Sequence, residues 1–251
     1  MGDLTAPDWL SRPDGLKLAI RHRRGDAAKP SLVFLPGYAS DMLGGKAVAL
    51  DDWAAANGVA MLRLDYAGCG ESQGAFADGT LAMWRDDALH AINSLVEGPV
   101  LLVGSSMGGW LALLIAQALG ARVAALVGIA AAPDFTRWGF DEADKQILKA
   151  EGRLLRPSDY GPEPMLTTLG FWRSGESLCL LDGEITIDCP VRLLQGQCDT
   201  AVPWEVALEI AQRVRSADVQ VTLLKDGDHR LSRAADIALL IATVERLMES
   251  L

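Results

Sequence analysis

At 251 residues the chain is the size of one α/β domain with an insertion, and half of its residues are hydrophobic, enough for a large core. The 33 Asp+Glu outnumber the 23 Lys+Arg for a formal charge of −10, which argues against nucleic acid or an anionic membrane as partner. The four cysteines, Cys69, Cys179, Cys189 and Cys198, show neither C-x-x-C spacing nor a histidine cluster, so no metal site is expected.

Met1-Gly2-Asp3-Leu4-Thr5-Ala6-Pro7-Asp8 has acidic residues, no basic-then-apolar signal and no Arg/Ser-rich leader. No apolar run is long enough to span a bilayer. These features lead to the expectation of a cytoplasmic protein with reduced thiols and no stable membrane insertion.

Trp9-Leu10 and Leu16–Arg23 read as a hairpin about Pro13-Asp14-Gly15, which supplies turn geometry. Ser31–Leu35 is apolar without alternation, as a central strand covered on both faces should be. A helix is predicted over Lys46–Asn57 and a strand over Val59–Leu64. Leu81–Val96 is an amphipathic helix with Trp84, Ala88, Ile92 and Leu95 on one face and Asp86, His90 and Ser94 on another. A short strand, Val100–Val103, precedes a strongly apolar helix that ends at Gly120, and Arg122–Ala131 is a further buried strand. From Asp134 to Asp188 the pattern is mixed and aromatic-rich, its clearest helix being Glu142–Glu151; it reads as a small lid inserted in a single domain spanning 1–251. Val191–Leu194, a helix over Pro203–Val214, a strand over Val219–Leu224 and a last helix capped by Ser232 complete the alternation. Strand and helix alternating to the end predict a mostly parallel twisted sheet of about eight strands with helices on both faces.

Two stretches match G-x-S-x-G: Gly70-Glu71-Ser72-Gln73-Gly74 and Gly104-Ser105-Ser106-Met107-Gly108. Only the second lies between a strand and a helix, the context a nucleophile elbow needs, so Ser106 is the candidate and Ser72 a turn residue. A serine needs a base, and the base an orienting acid. Of three histidines, His22 is in phase with strand packing positions and His90 sits mid-helix, whereas His229 follows the last strand, where loops gather at the C-terminal ends of parallel strands. Asp199, directly after the strand Val191–Leu194, is the chosen acid, with Asp134 its rival; Asp226 and Asp228 are too near His229 in sequence, and Asp65 reads as a loop anchor. The backbone N–H groups of Met107 and of Tyr38, in the loop after Leu35, are the expected oxyanion donors. No metal or organic cofactor is needed for this chemistry.

From hairpin to last helix the chain resembles the α/β-hydrolase superfamily of serine hydrolases. The resemblance rests on Pro30–Tyr38 with Ser40-Asp41-Met42, Gly104–Trp110, Cys189–Leu194, Val202-Pro203-Trp204 and Asp228-His229-Arg230. Several of these segments look closer still to a branch of it that acts on palmitoyl-proteins and acyl glucuronides. It implies the α/β-hydrolase fold and, for Ser106, Asp199 and His229, the same roles reached from the residues.

Trp110, Trp138 and Trp204 are candidate substrate contacts, beside an aromatic insertion suited to an apolar acyl group. The expected reaction is hydrolysis of carboxylic esters or thioesters through an acyl-enzyme, with a small molecule or an acylated protein as substrate. Peptide hydrolysis on the same fold is the alternative within enzymes, and a non-catalytic ligand receptor the alternative outside them.

Overall fold

The computed structural model describes residues 6–157 and 164–251; residues 1–5, part of the N-terminal stretch read above, lie outside them. The opening hairpin pairs β1 (Asp8–Ser11) with β2 (Lys17–Arg23), and Arg12 N–H donates to the Leu16 carbonyl at 2.8 Å to close its turn. There follow β3 (Ser31–Leu35), α1 (Gly45–Ala56), β4 (Met61–Leu64), α2 (Leu81–Leu95), β5 (Val100–Ser105), α3 (Met107–Leu119) and β6 (Val123–Ile129). Next come α4 (Phe135–Trp138), α5 (Glu142–Glu151), β7 (Arg153–Arg156), β8 (Met165–Thr168) and α6 (Leu169–Glu176). The alternation then resumes with β9 (Val191–Gly196), α7 (Glu205–Arg213), β10 (Val219–Leu224) and α8 (Ala234–Ser250).

Eight strands form one sheet in the order β1-β2-β4-β3-β5-β6-β9-β10, parallel except where β2 pairs with β1 and β4. The unalternating apolar runs follow from this arrangement. In β3, Val33 and Leu35 enter one core while Leu32 and Phe34 enter the other; β5 divides Val100 and Leu102 from Leu101 and Val103 in the same way. The first core is covered by α2, α3 and α7 and the second by α1 and α8. Helix α3 is buried on every side from Met107 to Ala116, as its continuous apolar composition requires.

Three local readings differ. Arg233, not Ser232, caps α8: its N–H donates to Asp236 Oδ2 at 3.0 Å, and its guanidinium adds bonds to Asp226 and Asp236, while Ser232 Oγ turns to the Arg230 carbonyl at 2.9 Å. Pro203 lies ahead of α7, because a tight turn from Val206 N–H to the Pro203 carbonyl at 3.0 Å leads into the helix. The β7–β8 pair and α6 lie within the segment whose mixed pattern resolved only α5.

Candidate active site

Ser106 occupies the single-residue turn between β5 and α3, at φ +57° and ψ −120°. A non-glycine residue there is strained, and it persists because the surroundings over-determine it. Its N–H donates to the Ile129 carbonyl at 2.8 Å, and its carbonyl accepts from Gly109 N–H at 2.8 Å and Ala132 N–H at 3.1 Å. The flanking glycines permit the close approach: a Cβ on Gly104 would stand 2.1 Å from the Gly108 carbonyl oxygen, and one on Gly108 would stand 2.0 Å from that of Leu35. Met107 is the first residue of α3, so its N–H has no acceptor within the helix. Ser72, by contrast, has its hydroxyl fully engaged, donating to the Asp65 carbonyl at 2.7 Å and accepting from Ala19 N–H at 2.8 Å.

The structure brings Ser106, His229 and Asp199 together from the loops after β5, β10 and β9. His229 Nδ1 donates to Asp199 Oδ2 at 2.8 Å, and Ser106 Oγ lies 3.1 Å from His229 Nε2. A carboxylate has no proton to give, so its contact fixes the imidazole tautomer, with Nε2 left as acceptor. The Asp199 side chain is wholly buried. Burial by itself raises its pKa, but the hydrogen bond and charge of His229, with the N–H groups of Val202 and Ala201, outweigh burial and hold it below the ordinary aspartate range. The two loops are stitched together by Cys198 N–H donating to the Gly227 carbonyl at 2.9 Å.

The other acids and histidines sit elsewhere. Asp134 accepts from the N–H groups of Leu180 and Leu181, both at 2.8 Å, and so ties the chain after β6 to the chain after α6. Asp65 accepts from Met42 N–H at 2.7 Å and Glu71 N–H at 2.9 Å, as a loop anchor would. Asp228 accepts from Leu231 N–H at 3.0 Å and Asp226 pairs with Arg233. His22 lies opposite Leu62 in the sheet, and burial lowers its pKa. His90 Nε2 lies 2.9 Å from the Ser11 carbonyl oxygen.

Ser106, His229 and Asp199 open on a cavity of about 1290 Å³, bounded on its far side by Phe135, Trp138, Phe140, Met165 and Leu166. Of the three tryptophans singled out, only Trp138 lines it. Trp110 is fully buried, donating to the Leu178 carbonyl at 3.2 Å and meeting Phe135 edge-on, and Trp204 heads α7 outside the cavity wall. Tyr38 lines the cavity in the loop after β3, where Gly37 packs against Ser105 and Ser106. Its hydroxyl donates to the Leu166 carbonyl at 2.6 Å and its ring lies 4.6 Å from that of Phe171. Lys46, Arg156 and Arg230 also reach the cavity wall; they come from three distant elements, so no spacing in the sequence could flag them. Among the described residues, the non-glycine positions with positive φ are Ala39, Ser106, Ala130, Asp134 and Leu231, all in loops following β3, β5, β6 and β10. Backbone strain is thus concentrated at this end of the sheet.

A protein-family model described as "Alpha/beta hydrolase family" matches residues 32–238, which span β3 to the first turns of α8. The chain belongs to the alpha/beta hydrolase family. Among curated proteins it is 40% identical over 251 residues to human "Palmitoyl-protein thioesterase ABHD10, mitochondrial", covering 98% of this chain and 81% of that one. Among solved structures, alpha/beta hydrolase domain-containing protein 10 from mouse superposes with a TM-score of 0.91 at 39% identity, over 98% of this chain and 99% of the other. A putative hydrolase from Agrobacterium vitis S4 gives a TM-score of 0.91 at 37% identity, over 99% of each chain. The cytoplasmic expectation is overturned at this point, because the five curated relatives that match all carry the name mitochondrial. Compartment is set by addresses that receptors read, so residues 1–8, the short apolar runs and the thiol content do not fix it. No helix among the described residues of this hydrolase is long and apolar enough to cross a membrane.

Proposed function

We propose that this hydrolase cleaves carboxylic esters or thioesters of acyl substrates through an acyl-enzyme on Ser106. The observation that carries the reading is His229, bonded at one ring nitrogen to Asp199 and within 3.1 Å of Ser106 Oγ at the other. His229 takes the serine proton as Oγ attacks the acyl carbonyl, and returns it to the leaving alkoxide or thiolate. Asp199 holds the tautomer and stabilises the imidazolium that forms. The N–H of Met107 and that of Tyr38 receive the developing oxyanion, an interaction worth on the order of 3 kcal/mol of barrier per donor. Water activated by the same histidine then releases the acid.

The segment from Asp134 to Asp188 serves as a lid within a single domain and sets the acyl pocket. Its Phe135, Trp138, Phe140, Met165 and Leu166 support an apolar chain as the group that enters. Short- to medium-chain acyl groups are the first expectation. Palmitoyl-protein, named for the mammalian relatives, is the extension that an acylated-protein partner would supply.

A fluorophosphonate probe should label the wild type, and should fail on Ser106→Ala and His229→Ala. Turnover of p-nitrophenyl esters and acyl thioesters of graded length should fall to background in the same variants. Wild-type turnover no higher than that of Ser106→Ala would reject the reading.

A further inference from the structure

Strand β9 is buried at Leu193, Leu194, Gln195 and Gly196, and Gln195 is fully excluded from solvent. An amide in such a place carries a desolvation cost that leucine or methionine would avoid. Its donors are all used at one end of the side chain: Nε2 lies 3.0 Å from Asp199 Oδ2, 3.2 Å from the Gly196 carbonyl oxygen and 3.4 Å from that of Val202. Three acceptors surround that end, so the chemistry itself assigns the NH₂ to it and the oxygen to the other. Among the described residues nothing donates to Gln195 Oε1. A residue retained for packing would not leave a buried acceptor without a partner; one retained for its N–H groups would tolerate it.

The oxygen that receives this amide is the one that receives His229 Nδ1–H at 2.8 Å. The other oxygen, Oδ1, accepts from the N–H groups of Ala201 and Val202, both at 2.8 Å. The four acceptor positions of the carboxylate are therefore filled, two on each oxygen. We propose that Gln195 is a positioning residue for the Asp199–His229 pair, its amide sharing Oδ2 with the imidazole. The two N–H groups on Oδ1 already hold the carboxylate in place, and the amide draws electron density from Oδ2 so that the pull on the imidazole proton is tempered. The assignment rests on the serine-hydrolase reading above, because only then does the basicity of His229 enter the rate.

The consequence is a direction in pH. Without the amide donor, Oδ2 is a stronger base towards Nδ1–H, the imidazolium is favoured, and neutral His229 appears only at higher pH. Among the described residues, the other charged groups on the wall of the same cavity are Asp41, Lys46, Arg156 and Arg230, with Asp228 beside His229 in the chain, and substituting Gln195 changes none of them.

The test is the pH dependence of kcat/KM for a p-nitrophenyl ester in wild type, Gln195→Met, Gln195→Glu and Ser106→Ala, with a thermal melt of each. In Gln195→Met, of similar shape but without donors, the acid-side midpoint should move up by about half a unit or more, about threefold in activity on that limb. In Gln195→Glu the buried carboxyl is held protonated by the adjoining carboxylate, its O–H restores a donor, and the midpoint should return towards wild type. An unchanged midpoint in Gln195→Met, equal shifts in both variants, or loss of folding in Gln195→Met would make Gln195 a core residue and overturn the proposal. Wild-type turnover equal to that of Ser106→Ala would instead overturn the reading beneath it, which keeps the two failures apart.

Discussion

The two G-x-S-x-G pentapeptides share a template and differ in almost everything physical. Around Ser106, a strand buried on both faces runs straight into a helix buried on all sides, and the residue between them is forced to φ +57° with its hydroxyl facing a cavity. Around Ser72, the chain is a loop that crosses the opening hairpin: Gln73 N–H donates to the Lys17 carbonyl at 3.0 Å, Gln73 Oε1 accepts from Lys17 N–H at 3.0 Å, and the Ser72 hydroxyl is tied on both sides. One serine has its backbone clamped and its side chain presented to a histidine; the other has its side chain consumed by structure. What distinguishes the candidate nucleophile from the clasp is therefore where the hydrogen-bonding capacity of the hydroxyl goes, and five letters do not encode that.

Swapping out each hydroxyl tests the contrast most severely. On the mechanism proposed above, Ser106→Ala should lower ester turnover by about 10³-fold or more, since only binding and the proposed oxyanion contacts would be left. Ser72→Ala should leave turnover within about twofold of wild type while costing about 1–2 kcal/mol in denaturant unfolding, because Ala19 N–H and the Asp65 carbonyl lose their partner. Equal activity losses in the two variants would erase the distinction.

The glycines come next, and they separate the two sites by what blocks a side chain. At Gly108 an added Cβ meets the Leu35 backbone at 2.0 Å, and backbone in the middle of the sheet cannot move aside. Gly108→Ala should cost about 4 kcal/mol or more, or prevent folding. At Gly70, where φ is +49°, the obstacle is the Asp65 carboxylate at 2.1 Å, a side chain that can rotate at the expense of its bonds to Met42 and Glu71 N–H. Gly70→Ala should therefore cost about 1–3 kcal/mol, and thermal or urea unfolding of the pair would show whether the order holds.

How far the sequence carried the reading depended on whether the deciding contact was local. The sheet was legible because parallel strands buried on both faces read as unbroken apolar runs, as at Ser31–Leu35 and Val100–Val103. Helix α5 was legible to the residue, its ends set by the Asp141 capping box and by Gly152 at φ +76°. Ser106, Asp199 and His229 could be chosen because each follows a strand in the order that the chemistry expects. By contrast, β7 and β8 are four residues each and, among the described residues, pair only with one another, so the pairing that makes them strands is invisible in either alone. Trp110 was misjudged as a cavity contact because α3 is apolar on all faces, and a helix without a polar side gives no phase to aim a side chain by. The role argued for Gln195 was hidden too, since it depends on a carboxylate four residues on folding back over a buried amide.

The smallest effect, and the one that compares the two sites most directly, is the response of their carboxylates to acid. Asp65, behind the Ser72 loop, has its pKa raised by burial, which outweighs the two backbone N–H bonds it accepts. Asp199, behind Ser106, has its pKa lowered overall because His229 and two N–H groups outweigh its burial. The signs for stability are opposite. A carboxyl held low in the folded state contributes stability that is fully present above its unfolded pKa of about 4 and is lost as pH falls through the lower folded value. A carboxyl held high imposes a penalty that is present above its folded pKa and is relieved as pH falls through it. Urea unfolding between pH 7 and pH 3 should therefore show Asp199→Asn losing less stability on acidification than wild type, and Asp65→Asn losing more. Were both variants to deviate in the same direction, the two carboxylates would not be opposites, and the division between a clasp whose acid is held high and a site whose carboxylate is held low would have to be given up.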